Sequence, residues 1–135
     1  MNGNVNNKSV TVQSGKLLGD ILAAHDIGDF VMQVESVSPA SPMLERGAVV
    51  CRLANGFVTL AGAEATTPAD VWGVVLDYQI DPAAPESTAS VARSGVFDAT
   101  QLVVDAGQNL AEYEIRMRDR GLFIEKLAQW AVPTP

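Results

Sequence analysis

Residues able to perform nucleophilic, acid–base or metal chemistry are scarce in this chain. Among 135 residues there is one histidine, His25, and one cysteine, Cys51. A Ser-His-Asp or Cys-His nucleophile would have to use His25, and a typical zinc site needs about four Cys or His ligands. Gly15-Lys16 lacks the other residues of a phosphate-binding loop. We interpret His25 as a surface or packing residue and Cys51 as a small buried hydrophobic residue, the usual role of a free thiol.

Carboxylate pairs are the other possible source of chemistry. Asp26/Asp29 and Asp77/Asp81 are close in sequence, but neither pair has the alternating ligands and central glycine of a calcium loop. A chain with 16 Asp and Glu residues always contains some pair spaced for the acid–base work of a glycosidase, so no pair is specific. We therefore predict a protein that is not an enzyme, with no catalytic residue, no metal site and no cofactor.

Composition and charge favour a globular protein and exclude two classes of partner. Hydrophobic residues make up 47% of the chain and charged residues 19%, as in ordinary globular proteins. The net charge of −7 opposes nonspecific binding to nucleic acid. No apolar run approaches the ~18 residues that cross a bilayer, and the N-terminus lacks the apolar core of a signal peptide. We predict synthesis in the cytoplasm, with no nucleic-acid or membrane partner.

Basic and aromatic residues do not interleave along the sequence. Arg116, Arg118 and Arg120 alternate with other residue types near Glu112 and Glu114, a pattern that predicts a solvated helix face with salt bridges. Most aromatic residues are expected in the core. Trp130 precedes a Pro-rich tail and is the best candidate for an interface anchor, because Trp is enriched at binding hot spots. The alternative is that it docks the C-terminus on its own domain.

The hydrophobic pattern predicts short strands, one late helix and no βαβ rhythm. Asn55-Gly56 separates two apolar runs and predicts a tight hairpin. Asn109 is a predicted helix N-cap with Glu112 three residues later, and Gly121 a predicted left-handed C-cap. The predicted strands are 9–13, 30–37, 48–53, 57–60, 71–80, 87–93 and 122–127, with 96–97 continuing the strand 87–93 after a bend or bulge at 94–95. The predicted helix is 110–120, and 16–25 is a possible short amphipathic helix. The fold class is therefore α+β and mostly β.

Four motifs within 42–102 carry a resemblance to a known family. They are Pro42-Met43-Leu44, the hairpin through Leu53-Ala54-Asn55-Gly56, Gly73-Val74-Val75-Leu76 and Ala92-Arg93-Ser94-Gly95-Val96-Phe97-Asp98. In this order, followed by a late helix and a final strand, they resemble the head decoration proteins of tailed bacteriophages, the family of the lambda capsid-stabilising protein D. Arg93, Gly95 and Phe97 fall on that family's Lys/Arg-x-Gly-x-Phe strand. The resemblance covers about 40–127; the segment 17–25 does not align, and the loop 81–86 is longer than expected.

The resemblance implies a structural protein of the virion. It implies a small, compact, partly barrel-like β-rich domain of the β-tadpole type at 39–135, preceded by a flexible N-terminal arm or extension at 1–38. It also implies a homotrimer on the outer surface of the expanded capsid, made in the host cytoplasm, with the major capsid protein as partner. We expect the arm to contact the capsid, in part by adding a strand to an exposed sheet edge. The capsid-contact candidates are Val10, Thr11, Val12, Leu17 and Leu18, and the interface candidates are Pro42, Trp72 and Trp130.

Two other functions stay open from the residues alone. Small β-barrels often bind oligosaccharides, so a β-domain that binds carbohydrate or another surface ligand is the main alternative. A hydrolase that uses an unrecognised carboxylate pair is the third possibility.

Overall fold

The computed structural model describes residues 31–125, which form nine strands, one α-helix and three short 3-10 turns. The strands are β1 (Met32–Ser36), β2 (Leu44–Glu45), β3 (Val49–Arg52), β4 (Val58–Leu60), β5 (Val71–Val75), β6 (Gln79–Ile80), β7 (Thr88–Ala92), β8 (Gly95–Asp98) and β9 (Leu122–Glu125), and the helix is α1 (Leu110–Asp119). The α+β, mostly β fold class with one late helix is confirmed. Residues 1–30 of the predicted arm, with the strand at 9–13 and the helix at 16–25, lie outside the described residues. The last part of the predicted arm contains β1, which is an edge strand of the main sheet, and the boundary at residue 38 stays a prediction.

Five strands form the main antiparallel sheet, in the order β1-β7-β5-β3-β4. The predicted hairpin at Asn55-Gly56 joins β3 to β4. Gly56 has φ +90°, and the Asn55 side chain accepts a hydrogen bond from the Phe57 amide at 2.9 Å. Both residue types tolerate such turn geometry, which explains why the hairpin could be predicted from the sequence.

The strands do not close into a barrel. β1 and β4 are the two edges of the main sheet, and a single isolated bridge joins Val37, just after β1, to Val58 in β4. The Ser38 amide also donates to the Val58 carbonyl oxygen at 2.8 Å. The sheet therefore curls so that its edges approach each other at one point, while two smaller sheets, β2-β6 and the parallel pair β8-β9, lie outside it.

Each face of the main sheet carries its own hydrophobic cluster. Neighbouring residues alternate between the two, so Val49 and Val74 belong to the first cluster while Val50 and Val75 belong to the second. The first cluster is covered by α1, β8 and β9, and also contains Cys51, Ala61, Val71, Leu76, Ala92, Phe97, Tyr113, Met117 and Leu122. The second also contains Val37, Leu44, Ala48, Val58, Leu60, Ala63, Ala89 and Val91. This alternation is the period-2 pattern of a sheet buried on both faces.

The predicted single strand at 71–80 is wrong, because the chain leaves the main sheet after Leu76. The Asp77 carboxylate accepts a hydrogen bond from the Ser90 amide at 2.6 Å, where a backbone carbonyl would continue the ladder. Two residues later β6 pairs with β2 instead of β7. A side chain that replaces a backbone acceptor ends strand pairing locally, and the sequence pattern alone does not show which acceptor is used.

Candidate interaction surface

Trp72 lies in β5, between β3 and β7 in the main sheet. Its indole is half-buried against the second hydrophobic cluster, and its Nε1–H donates a hydrogen bond to Glu35 Oε2 in β1 at 3.0 Å. The adjacent Gly73 leaves no room for a side chain, since a Cβ there would overlap the Ala92 carbonyl oxygen and the Val91 side chain. Close strand packing at Gly73 therefore fixes the backbone from which the indole projects.

Three arginines surround the indole ring. The guanidinium carbon of Arg93 lies 3.4 Å from the ring centroid, that of Arg52 4.5 Å and that of Arg120 5.8 Å. Arg52 ends β3, Arg93 follows β7, and Arg120 is the C-cap of α1. Guanidinium groups within about 6 Å of an indole are attracted by the ring quadrupole. We call Trp72, Arg52, Arg93, Arg120 and Glu35 the Trp72 cluster.

The arginines of the Trp72 cluster are held by neutral acceptors. Arg93 Nε donates to the Trp72 carbonyl oxygen at 2.8 Å, and its Nη1 donates to Gln33 Oε1 at 3.0 Å. Arg120 Nη2 donates to the Ala69 carbonyl oxygen at 3.4 Å. Within residues 31–125, no carboxylate forms an ion pair with any of the three guanidinium groups. The cluster thus keeps a local excess of positive charge on a chain of net charge −7.

The environment of Arg93 also shows this excess. Its pKa is lowered chiefly because burial removes water from the guanidinium; the charges of Arg120 and Arg52 lower it further, while the Glu35 carboxylate opposes them. Arginine nevertheless stays protonated in proteins. The three positive charges therefore persist and repel one another around the indole.

The helix arginines divide into two groups. Arg118 forms the predicted salt bridge, with Nη2 3.2 Å from Glu114 Oε2 one turn away, and Arg116 is exposed on the same helix. Arg120 is also exposed but lies beyond the last helical residue, where it reaches the Trp72 ring. The predicted solvated face is confirmed for Arg116 and Arg118, and Arg120 has the additional contact with Trp72.

The predicted site residues do not come together. Trp72 is at the centre of the cluster, whereas Pro42 is exposed in the loop before β2, where its carbonyl oxygen accepts a hydrogen bond from Ser41. The remaining candidates lie outside the described residues: Val10, Thr11, Val12, Leu17, Leu18 and Trp130. The sequence reasoning missed Arg52, Arg93, Arg120 and Glu35, because they reach Trp72 across strands and not along the chain. The strand order β1-β7-β5-β3 brings Glu35, Arg93 and Arg52 beside Trp72, and the packing of α1 on β5 brings Arg120 there.

A second exposed feature is the apolar side of β1. Val34 is 65% exposed and Met32 52%, although their strand partners Ser90 and Ala92 are more shielded. The opposite side of β1 carries Gln33 and Glu35, which bond to the Trp72 cluster. β1 therefore presents polar contacts on one face of the sheet and uncovered apolar side chains on the other.

Residues 31–125 hold no group of three or more His, Cys, Asp and Glu side chains arranged for a metal ion. Over the same residues, no helix is long and apolar enough to cross a membrane. Comparison with protein-family models and with curated proteins gave no match for this chain.

Proposed function

We propose that this protein is a structural virion protein that binds the outer surface of an expanded phage capsid as a homotrimer and stabilises the head. The observation that carries surface binding is the Trp72 cluster, a half-buried indole ringed by arginines from three separate elements. Trp and Arg are the residue types most enriched at binding hot spots. The resemblance of 40–127 to head decoration proteins supplies the class of partner.

The order of the described elements supports the proposal. The hairpin β3–β4 precedes β5, whose Gly73-Val74-Val75 follows the expected motif, and β8 contains Gly95 and Phe97. Helix α1 and strand β9 then follow in the order that the resemblance requires. Phe97 is fully buried in the first hydrophobic cluster, which gives that motif residue a packing role and leaves contact with a partner to the surface.

Stabilisation of the head would follow from differential binding. A trimer that binds the expanded shell and not the unexpanded one favours the expanded state by the difference in its two affinities. Three modest contacts per trimer act together, because the second and third binding events are intramolecular. No chemical step is required.

Carbohydrate binding, the main alternative, receives less support at Trp72. The Arg93 guanidinium carbon lies 3.4 Å from the ring centroid, so the guanidinium occupies the space where a sugar would stack on that side of the indole. The exposed aromatic side chains, Phe57, Tyr78 and Phe123, lie on three different strands or loops, so they do not form one stacking platform.

Co-sedimentation with purified shells tests the proposal. The full chain is mixed with expanded and with unexpanded shells of the major capsid protein from the same phage, and its mass in solution is measured by light scattering. We expect three times the 14.3 kDa chain mass, saturable binding to expanded shells alone, and a higher melting temperature of the loaded shell. A monomer at all concentrations, or no binding to either shell, contradicts the proposal.

A truncation tests the predicted role of the arm. A chain that lacks residues 1–15 should keep its fold and bind expanded shells more weakly than the full chain in the same assay. Unchanged binding would refute the arm contact while leaving binding through the Trp72 cluster in place.

A further inference from the structure

The arginines of the Trp72 cluster have more hydrogen-bond donors than the protein uses. Each guanidinium carries five N–H donors. The Arg52 side chain donates to no acceptor within residues 31–125, Arg93 makes two such bonds and Arg120 one long one. Arg52 and Arg120 are exposed. Most of these donors therefore have no acceptor among the described residues, beside an indole that is half-buried.

The positive charge of the Trp72 cluster favours the binding of an anion. Three guanidinium groups lie within 5.8 Å of one ring centroid, and the nearest favourable charge, Glu35, is already bound to the indole N–H at 3.0 Å. The charges of Arg120 and Arg52 act unfavourably on that of Arg93, and an anion that accepts from two guanidinium groups at once would relieve this repulsion. The contacts of Glu35 show that a carboxylate fits beside this indole.

We propose that the Trp72 cluster is a carboxylate-binding site whose ligand is an acidic segment of a partner protein. Arg52 and Arg120 are the residues that receive the carboxylates, because their donors are the least used, and Arg93 is the positioning residue that stacks on the indole. The planar guanidinium fork matches a carboxylate in two parallel hydrogen bonds. Most charges of a long phosphate backbone would lie beyond the cluster, against a chain of net charge −7, so a short acidic segment is the better occupant.

This inference depends on the proposed function only for the location of the acidic segment, which would be an exposed loop of the major capsid protein. The site itself is testable without a capsid. The probe is a hexaglutamate peptide with blocked ends, because it offers adjacent carboxylates and no other recognition group.

The test compares two double variants with the same change of charge. Arg52→Gln/Arg120→Gln removes the two receiving arginines, while Arg116→Gln/Arg118→Gln removes two exposed arginines of α1 outside the cluster and serves as the control. Both pairs are exposed, and Arg93, whose hydrogen bonds hold β1 and β5, is left intact. Circular dichroism melting verifies that both variants fold.

Titration of the peptide into the nitrogen-15-labelled full chain gives a readout at the site. We expect saturable shifts of the Trp72 indole N–H and the Arg93 Nε–H, and weaker binding as sodium chloride is raised. The Arg52→Gln/Arg120→Gln chain should bind at least about tenfold more weakly, which is about 1.4 kcal/mol. The control variant should bind within about twofold of the natural chain, as expected for screened distant charges.

Three results would overturn the inference: no shift of the two site resonances, equal weakening in the control variant, or tighter binding of an oligothymidylate than of the peptide. The co-sedimentation assay with shells distinguishes a failure of this inference from a failure of the proposed function. If the peptide binds at the cluster and the full chain binds no shell, the inference holds and the capsid assignment alone fails.

Discussion

Thr59 and Thr66 place the same hydroxyl group in two contrasting environments. Thr59 is fully buried in β4, and its Oγ1 has no hydrogen-bond partner within residues 31–125. Thr66 Oγ1 donates to the Ala63 carbonyl oxygen at 2.7 Å and accepts from the Gly62 amide at 3.0 Å. A buried polar group without a partner keeps its full desolvation cost, whereas a paired one recovers it.

The substitution Thr59→Val should therefore stabilise the protein. Valine fills nearly the same volume and removes the unpaired hydroxyl, so we expect the free energy of unfolding to rise by about 1 kcal/mol in urea titrations. Thr66→Val is the matched control, and its loss of two hydrogen bonds should lower stability by about 1–2 kcal/mol. Destabilisation by Thr59→Val would show that its hydroxyl has a partner.

The buried thiol of Cys51 makes the stability of the folded protein depend on pH. The thiol is fully buried in β3, its Sγ lies 3.6 Å from the Thr67 carbonyl oxygen, and burial raises its pKa to about 11. The folded protein therefore retains the thiol proton at a pH where the unfolded chain has lost it. Deprotonation favours the unfolded state throughout that interval.

We expect this thiol to contribute full stability below about pH 9 and to lose that contribution as the pH rises toward 11, at up to about 1.4 kcal/mol per pH unit. The free energy of unfolding, measured from pH 8 to 11, should fall more steeply for the natural chain than for Cys51→Ala. Parallel curves for the two chains would contradict a raised pKa at Cys51.

At the scale of single elements, helix α1 shows what local sequence determines. Asn109 Oδ1 accepts a hydrogen bond from the Ala111 amide at 3.0 Å, and Gly121 ends the turn with φ +84°. Tyr113 and Met117 are fully buried, and their spacing of four residues places them on one face of the helix. These signals lie within about four residues of the groups they satisfy, so the helix could be predicted from the sequence with its caps.

The N-cap should therefore contribute a measurable part of the stability. Asn109→Ala removes the acceptor for an amide that has no partner within the helix, and we expect a loss of about 1 kcal/mol. Asn109→Asp retains a side-chain oxygen at the cap and should change stability by less than half of that. The comparison is made by urea titration at neutral pH; equal losses in both variants would mean that the cap oxygen is not the source of the effect.

Contacts between strands could not be predicted in the same way. Trp72 was predicted as an interface residue, but its neighbours Arg52 and Arg93 are 20 and 21 positions away and come together only because β5 lies between β3 and β7. The break after Leu76 likewise depends on a hydrogen bond between Asp77 and Ser90. Pairing order is a global property of the sheet, and the period-2 pattern of one strand does not encode it.

At the scale of the whole molecule, one sheet separates two hydrophobic clusters. Val49 and Val50 are adjacent in β3 but pack into opposite clusters, as do Val74 and Val75 in β5. Neither cluster can lose its packing without moving the backbone that supports the other. The described domain should therefore unfold as a single cooperative unit, as small domains usually do.

Matched leucine truncations on the two faces test this cooperativity. Leu122→Ala opens a cavity in the first cluster and Leu44→Ala in the second, and both leucines are fully buried. Each substitution should cost about 2–5 kcal/mol. Amide hydrogen exchange should then show that either variant lowers protection in α1 and in β4 by the same free energy, because both regions exchange through global unfolding. If Leu44→Ala lowers protection in β4 and leaves protection in α1 unchanged, the two faces of the sheet unfold as separate units. Binding of a partner at the Trp72 cluster on one face would then leave the stability of the other face unaffected.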